Sequence, residues 1–247
     1  MAVVWGCCVG ESGKFETGLL PSLAVHGYDT VVLERRGQES IFGAYNSLMA
    51  EAAALPGLEA LVLVHDDVEV LDGSITGTVR AVLADRTVGL IGVVGGMGVR
   101  DMPWWETASR VGSVRHATHV DDFTRGVRDA DAVDGLLMAV SPEVARTVRL
   151  RKGRYPGWHG YDAELCALVR AAGLRVVVAD LPVFHNCKPG PWGEPVYDQA
   201  RHEWRARWRR GPATARLASI AKRELMAAAV RYPTLRTLTS RYTQAGG

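Results

Sequence analysis

Short apolar runs alternate with longer stretches whose apolar residues recur at helical spacing, and this alternation carries through most of the chain. Residues 2–9 (AVVWGCCV) are apolar and stop at Gly10, the pattern of a strand buried on both faces of a sheet. Residues 15–26 suit a helix, and 29–34 (DTVVLE) a second strand. In 39–54 (ESIFGAYNSLMAEAAA) the apolar positions follow a helical rather than an alternating period. Residues 58–73 (LEALVLVHDDVEVLDG) predict an apolar strand that stops abruptly at two carboxylates. A helix over 75–85, a buried strand over 87–94 (TVGLIGVV) and a glycine-rich, tryptophan-containing loop over 95–105 (GGMGVRDMPWW) follow.

Beyond that loop, 113–120 predicts one strand in an excursion from the main sheet, and 133–141 (VDGLLMAVS) a further strand. The next helix starts with Ser141 as N-cap and Pro142 in its first turn. Residues 162–172 predict an amphipathic helix ended by Gly173, 174–181 (LRVVVADL) a strand, and 184–195 a Gly/Pro-rich loop. From about 198 the chain reads as helical and basic. Strands alternating with helices predict an α/β fold, a mainly parallel sheet flanked by helices. The expected division is a catalytic-type domain over 1–197 and a basic helical extension over 198–247.

Composition narrows the class. At 247 residues, 47% hydrophobic and 23% charged, the chain can bury a sizeable core without a disulfide or structural metal. No apolar run is long enough to predict a transmembrane helix. The first residues lack a basic leader, and Cys7, Cys8, Cys166 and Cys187 form no CxxC pair, so reduced thiols and a cytoplasmic location are expected. A net charge of +2 argues against nucleic-acid binding, yet residues 201–241 hold eleven Lys or Arg against Glu203 and Glu224. A helical cap with solvated arginines is the favoured reading of that tail. Contact with an anionic membrane surface and homo-oligomerisation stay open as alternatives.

Three segments carry candidate chemistry. Ligands of parallel α/β sheets bind beyond the carboxyl ends of strands, which is where LVLVHDDVEV (61–70) places its acids. On an extended strand His65 and Asp67 share a face and Asp66 opposes them. Asp67 suits Mg²⁺ or Mn²⁺ bridging a diphosphate, although a solvated strand end with capping aspartates reads equally well. In WHGYDAELC (158–166), Asp162 opens a helix, either as a simple dipole-favoured cap or as a general base that deprotonates an acceptor hydroxyl. Trp158 and Tyr161 supply flat faces for sugar rings, with His159 beside them. In VFHNCKPGPW (183–192), His185 suits a metal or phosphate contact and Lys188 a diphosphate charge. There is no P-loop, no GxSxG elbow and no dinucleotide fingerprint.

The ordered set ESIFGAYNSLMAEA, LVLVHDDVEVL, IGVVGGMG with its following WW, VDGLLMAV, WHGYDAELC and VFHNCKPGPWG resembles GT-A-fold glycosyltransferases of the family 2 kind. It is similar in particular to the small bacterial streptomycin-biosynthesis-type subgroup associated with antibiotic gene clusters. The resemblance implies a Rossmann-like nucleotide-diphospho-sugar transferase fold. It puts His65-Asp66-Asp67 on the Asp-x-Asp site, with His65 replacing the first Asp and Asp67 as the metal carboxylate. It implies His185 near the metal or diphosphate, and Asp162 as the base of an inverting transfer. Cys8, Val9, Gly10 and Glu34 would hold the nucleotide, with Ser40 and Asn46 nearby. Asp134 would lie beside donor sugar or acceptor, and Trp104 and Trp105 would be acceptor-side walls, near His159 and Tyr161. The implied activity moves a sugar from a nucleotide-diphosphate-sugar to an acceptor hydroxyl with Mn²⁺ or Mg²⁺. Two rivals remain: a nucleotidyltransferase using GESGK (10–14), and a degenerate sugar-binding protein signalled by His65.

Overall fold

A computed structural model describes residues 2–26, 31–151, 153, 155, 157–187 and 195–208. Strand β1 (Ala2–Cys8) is followed by a π-helical turn (Phe15–Leu19), α1 (Leu20–Val25), β2 (Val32–Arg35) and α2 (Ile41–Ala54). Ser40 caps α2 by accepting from Gly43 N. Next come β3 (Leu58–His65), β4 (Val68–Val70), α3 (Ile75–Leu83), β5 (Val88–Gly92), β6 (Val94–Met97) and a 3₁₀ turn at Trp104–Glu106. The second half contains β7 (Ser109–His116), β8 (Val120–Thr124), β9 (Arg128–Ala130), β10 (Ala132–Val133), β11 (Leu137–Val140) and α4 (Pro142–Thr147). It ends with α5 (Tyr161–Ala171), β12 (Arg175–Val178), β13 (Val183–His185) and α6 (Pro195–Trp208). Ser141 caps α4, as its position before Pro142 predicts.

These strands form two sheets. The larger runs β2-β1-β3-β11-β5-β12-β9. Five of its strands (β1, β2, β3, β5, β12) point one way, while β9 and β11 oppose them, so the sheet is mainly parallel. Its central strands are buried along nearly their whole length, which explains why they read as unbroken apolar runs. Trp5, Phe42, Tyr45, Leu48, Leu61, Leu63 and Ile91 fill the core around them.

The second sheet, β10-β6-β7-β13-β4 with β8 on β7, is larger than the single excursion strand expected over 113–120. The 58–73 strand stops at Asp66–Asp67 as expected, and the residues after it form β4, which pairs with β13. Two runs that read as one strand each divide between the sheets or around a turn. The 87–94 run crosses from β5 to β6, and 133–141 divides into β10 and β11 around Asp134–Gly135. In each case apolar residues bury on either sheet, so hydrophobicity alone does not mark the crossing.

Helix α6 covers one end of the second sheet's loops with Tyr197, Ala200, Trp204 and Trp208 buried. Its Arg201 pairs with Asp101 and Glu106, and Arg205 with Asp101. The buried Glu164 of α5 accepts from Trp208 Nε1 at 2.7 Å and Tyr155 Oη at 2.6 Å, and pairs with Arg207. Of the basic extension, residues 209–247 lie outside the described residues. No helix among the described residues is long and apolar enough to cross a membrane.

Candidate active site

Strands β1 and β3 run parallel with Cys8 opposite His65, so both chains leave the sheet at the same level. Asp66 turns back over β1 and accepts from Gly10 N at 2.9 Å, while Asp67 points the other way. There Asp67 Oδ1 lies 3.3 Å from His185 Nε2 and 4.0 Å from His65 Nδ1, and Oδ2 lies 3.8 Å from Lys14 Nζ. The alternation argument, with His65 and Asp67 on one side and Asp66 on the other, describes this arrangement. His185 arrives from the second sheet because β13 pairs with β4, and Asn186 N donates to Asp67 O at 2.8 Å.

The electrostatics favour an ionised Asp67. Burial opposes ionisation of Asp67, but the close approach of His185 and the charges of His185, His65 and Lys14 win, holding its carboxyl at about 2. Burial first, and His185 second, keep His65 below the ordinary histidine value. Asp67 Oδ1 is buried without a hydrogen-bond partner, and one ligand atom from each of His65, Asp67 and His185 falls within 4.8 Å of the others. A buried carboxylate oxygen left bare among two imidazoles is a donor set that fits a divalent cation.

The other half of the site is built at the N-terminus of α5. Gly160, at φ +79°, precedes the helix in a left-handed conformation that an L side chain rarely adopts. Tyr161 then hydrogen-bonds His65 Nε2 and packs edge-on against Tyr45, ring centroids 5.4 Å apart. It passes so close to the Asp134–Gly135 turn that a Cβ on Gly135 would lie 2.1 Å from its hydroxyl. Asp162 follows. Burial first, and the Asp134 charge second, push its carboxyl up to about 7, against donation from Ala163 N at 2.8 Å. Asp134 is itself oriented by Trp104 Nε1 at 3.2 Å and Leu136 N at 3.0 Å.

A cavity of about 750 Å³ joins these parts. His65, Asp67, Trp104, Trp105, Asp134, His159, Tyr161, Asp162 and His185 all line it. The remaining expected residues lie elsewhere. Cys8, Val9, Gly10 and Asp66 form the β1 side of the strand ends, and burial with the Asp66 charge pushes the Cys8 thiol up to about 11, so it stays protonated. Glu34 binds Arg36 Nε at 3.2 Å. Ser40 is the α2 cap, and Asn46 commits its amide to Leu150, donating to O and accepting from N at 2.8 Å each. Lys188 lies outside the described residues.

Sequence reasoning left several residues around the site unassigned. Lys14, singled out in the sequence only as part of GESGK for the nucleotidyltransferase alternative, reaches Asp67 and donates to Asn186 O. Arg110, His116, His119, Asp121 and Phe123 line the cavity from β7, β8 and the turn between them. The available signal was the alternation of β7, but one strand drawn through 113–120 ran straight across the turn.

The mainly parallel sheet, the acid turn at the end of β3 and the acid that opens α5 over a shared cavity define a GT-A glycosyltransferase domain. The chain belongs to the "Glycosyltransferase like family", whose model matches residues 8–202. It is 36% identical over 185 residues to the streptomycin biosynthesis protein StrF of Streptomyces griseus, covering 74% of this chain and 66%, just under two thirds, of that protein. Among solved structures it is similar to GalNAc-T7 with UDP, GalNAc and Mn²⁺, with a TM-score of 0.56 and 13% identity over 84% of this chain and 48% of that one. At that identity the likeness shows the fold.

Proposed function

We propose that the protein transfers a sugar from a nucleotide-diphosphate-sugar to an acceptor hydroxyl, inverting the anomeric centre with Asp162 as base. The observation that carries this reading is that Asp162 and the Asp67–His65–His185 cluster line one cavity. A divalent ion held by Asp67 with His185 and His65 would offset the charge that develops on the departing diphosphate. Lys14 adds a fixed positive charge on the same side, and Lys188 is the second candidate for that role. Asp162 takes the hydroxyl proton as the acceptor oxygen forms its bond to the anomeric carbon and the bond to diphosphate oxygen breaks. A carboxyl poised near 7 is suited to that exchange, because it is substantially ionised at neutral pH yet basic enough to accept a proton.

The subsites follow from the placement. Trp104, Trp105, His159 and Tyr161 offer flat surfaces to sugar rings, and Asp134 offers an oriented carboxylate to sugar hydroxyls. Cys8, Val9, Gly10 and Glu34 flank the nucleotide side, with Asp66 beneath it. Asn46 and Ser40 act there through the backbone they fix. The relative in streptomycin biosynthesis makes small-molecule acceptors of antibiotic or other secondary metabolism the first to screen. Free thiols at Cys7, Cys8, Cys166 and Cys187 suit a reducing cytoplasm.

Thermal unfolding against a panel of nucleoside diphosphates and nucleotide-sugars, with and without Mn²⁺, tests the reading, since selective binding raises apparent stability. One nucleotide family should raise Tm only with metal, and Asp67→Ala should abolish the metal-dependent part. No shift with any member of the panel would leave a sugar-binding protein on a degenerate transferase fold. Release of pyrophosphate in place of a nucleoside diphosphate would make it a nucleotidyltransferase.

A further inference from the structure

The turn that joins β7 to β8 gathers three metal-ligating side chains outside the Asp67 cluster. His116 ends β7, its N–H donating to His119 O at 2.9 Å to close the turn. Asp121 lies opposite Val114 in the antiparallel pair, and Val114 is two residues from His116. Asp121 and His116 therefore project from one face of the hairpin. The rings of His116 and His119 stack with centroids 4.3 Å apart, and both Nε2 atoms approach one carboxylate oxygen. Asp121 Oδ2 receives them, 3.4 Å from His116 Nε2 and 4.0 Å from His119 Nε2.

We propose that His116, His119 and Asp121 form a second site for a transition-metal ion, of which Zn²⁺ is the natural occupant. Three independent features support it. His116 Nε2 is buried without a hydrogen-bond partner on a side chain only 8% exposed, so a buried polar atom points at an empty centre. The separations suit the ion: tetrahedral zinc with ligands about 2.0–2.1 Å away holds them about 3.4 Å apart. The His116–Asp121 edge already has that length, and His119, 56% exposed, closes the other by a small rotation. Finally, the far ring nitrogens have partners, His119 Nδ1 at 3.0 Å from Thr118 Oγ1 and His116 Nδ1 at 3.1 Å from His185 Nδ1. Such outer contacts are compatible with the tautomers that leave Nε2 free to bind. Two imidazoles and one carboxylate leave a fourth position open, and all three side chains line the 750 Å³ cavity. An ion here would present a Lewis-acidic coordination site to a cavity occupant.

The test uses the full chain, stripped with chelator and dialysed against Zn²⁺, with bound metal counted by elemental analysis. His119→Ala and Asp121→Asn should each bind about one equivalent less Zn²⁺ per chain than the parent. Asp67→Ala should keep the hairpin-bound ion, and in the Asp67→Ala background Co²⁺ should show visible tetrahedral ligand-field bands that His119→Ala removes. Far-UV circular dichroism of each variant should match the parent. Equal Zn²⁺ content in the parent, His119→Ala and Asp121→Asn, or absence of the Co²⁺ bands, overturns the proposal. These readouts need no turnover, so they stand or fall apart from the transferase reading.

Discussion

Two aspartates of the site face opposite protonation demands. Asp162 is raised to about 7, so folding binds its proton more tightly than the unfolded chain does. The stability this gives is present below the ordinary carboxylate pKa and is lost as pH rises through about 7. Asp162→Asn should therefore make the protein more stable than the parent above neutrality, while lowering turnover by roughly 10²–10⁴-fold. Denaturant midpoints at acidic and alkaline pH check the first. The rate profile of the parent, rising through about 7 and flattened in the variant, checks the second. Asp67 has the reverse sign: its contribution holds above the ordinary value and is lost as pH falls toward about 2. At this scale the sequence was informative where neighbours along the chain decide the geometry, as for His65 and Asp67. It was silent where distant residues meet, as for Lys14 with Asp67 or Asn46 with Leu150.

At the scale of elements, the long runs were readable and the crossings were not. Alternation continues through VHDDVEV, so only the turn at Asp66–Asp67 separates β3 from β4, and nothing apolar marks it. Strands of two or three residues, such as β4, β10 and β13, are too short to show a period. The basic tail read as a cap with solvated arginines; in α6, its described part, the apolar side is buried but Arg201, Arg205 and Arg207 are ion-paired. Glu164 looks like a first-turn acid of α5, yet it is fully buried and holds Trp208, Tyr155 and Arg207. Glu164→Ala should lower stability by about 3–5 kcal/mol, because Arg207 loses its buried countercharge and two donors lose their acceptor. Urea unfolding followed by tryptophan fluorescence gives both the loss and the order of events. Trp208 should become solvent-exposed at lower denaturant in the variant than in the parent.

For the whole molecule, the mainly parallel sheet was foreseeable, because four of its five parallel strands are buried and carry their own apolar signature. The second sheet was not, since β7 and β8 are half-exposed, its other strands are two to four residues long, and all interleave with the first sheet in chain order. Yet the second sheet supplies His185, and with it half of what surrounds Asp67. The candidate site in this chain is thus an interface between two sheets rather than the edge of one.

The 3.1 Å contact between the Nδ1 atoms of His116 and His185 gives that interface a logic. Only one proton fits between two nitrogens so close, so one ring must be the donor and the other the acceptor. An ion on His116 Nε2 keeps the proton on His116, and His185 then carries its own on Nε2, turned toward Asp67. An ion taking His185 Nε2 reverses the assignment. The two positions are coupled through a single hydrogen, so an ion in either weakens, without excluding, an ion in the other. Saturating Zn²⁺ should raise the Mn²⁺ concentration needed for half-maximal transfer, and His119→Ala should remove that antagonism while leaving the Mn²⁺ requirement alone.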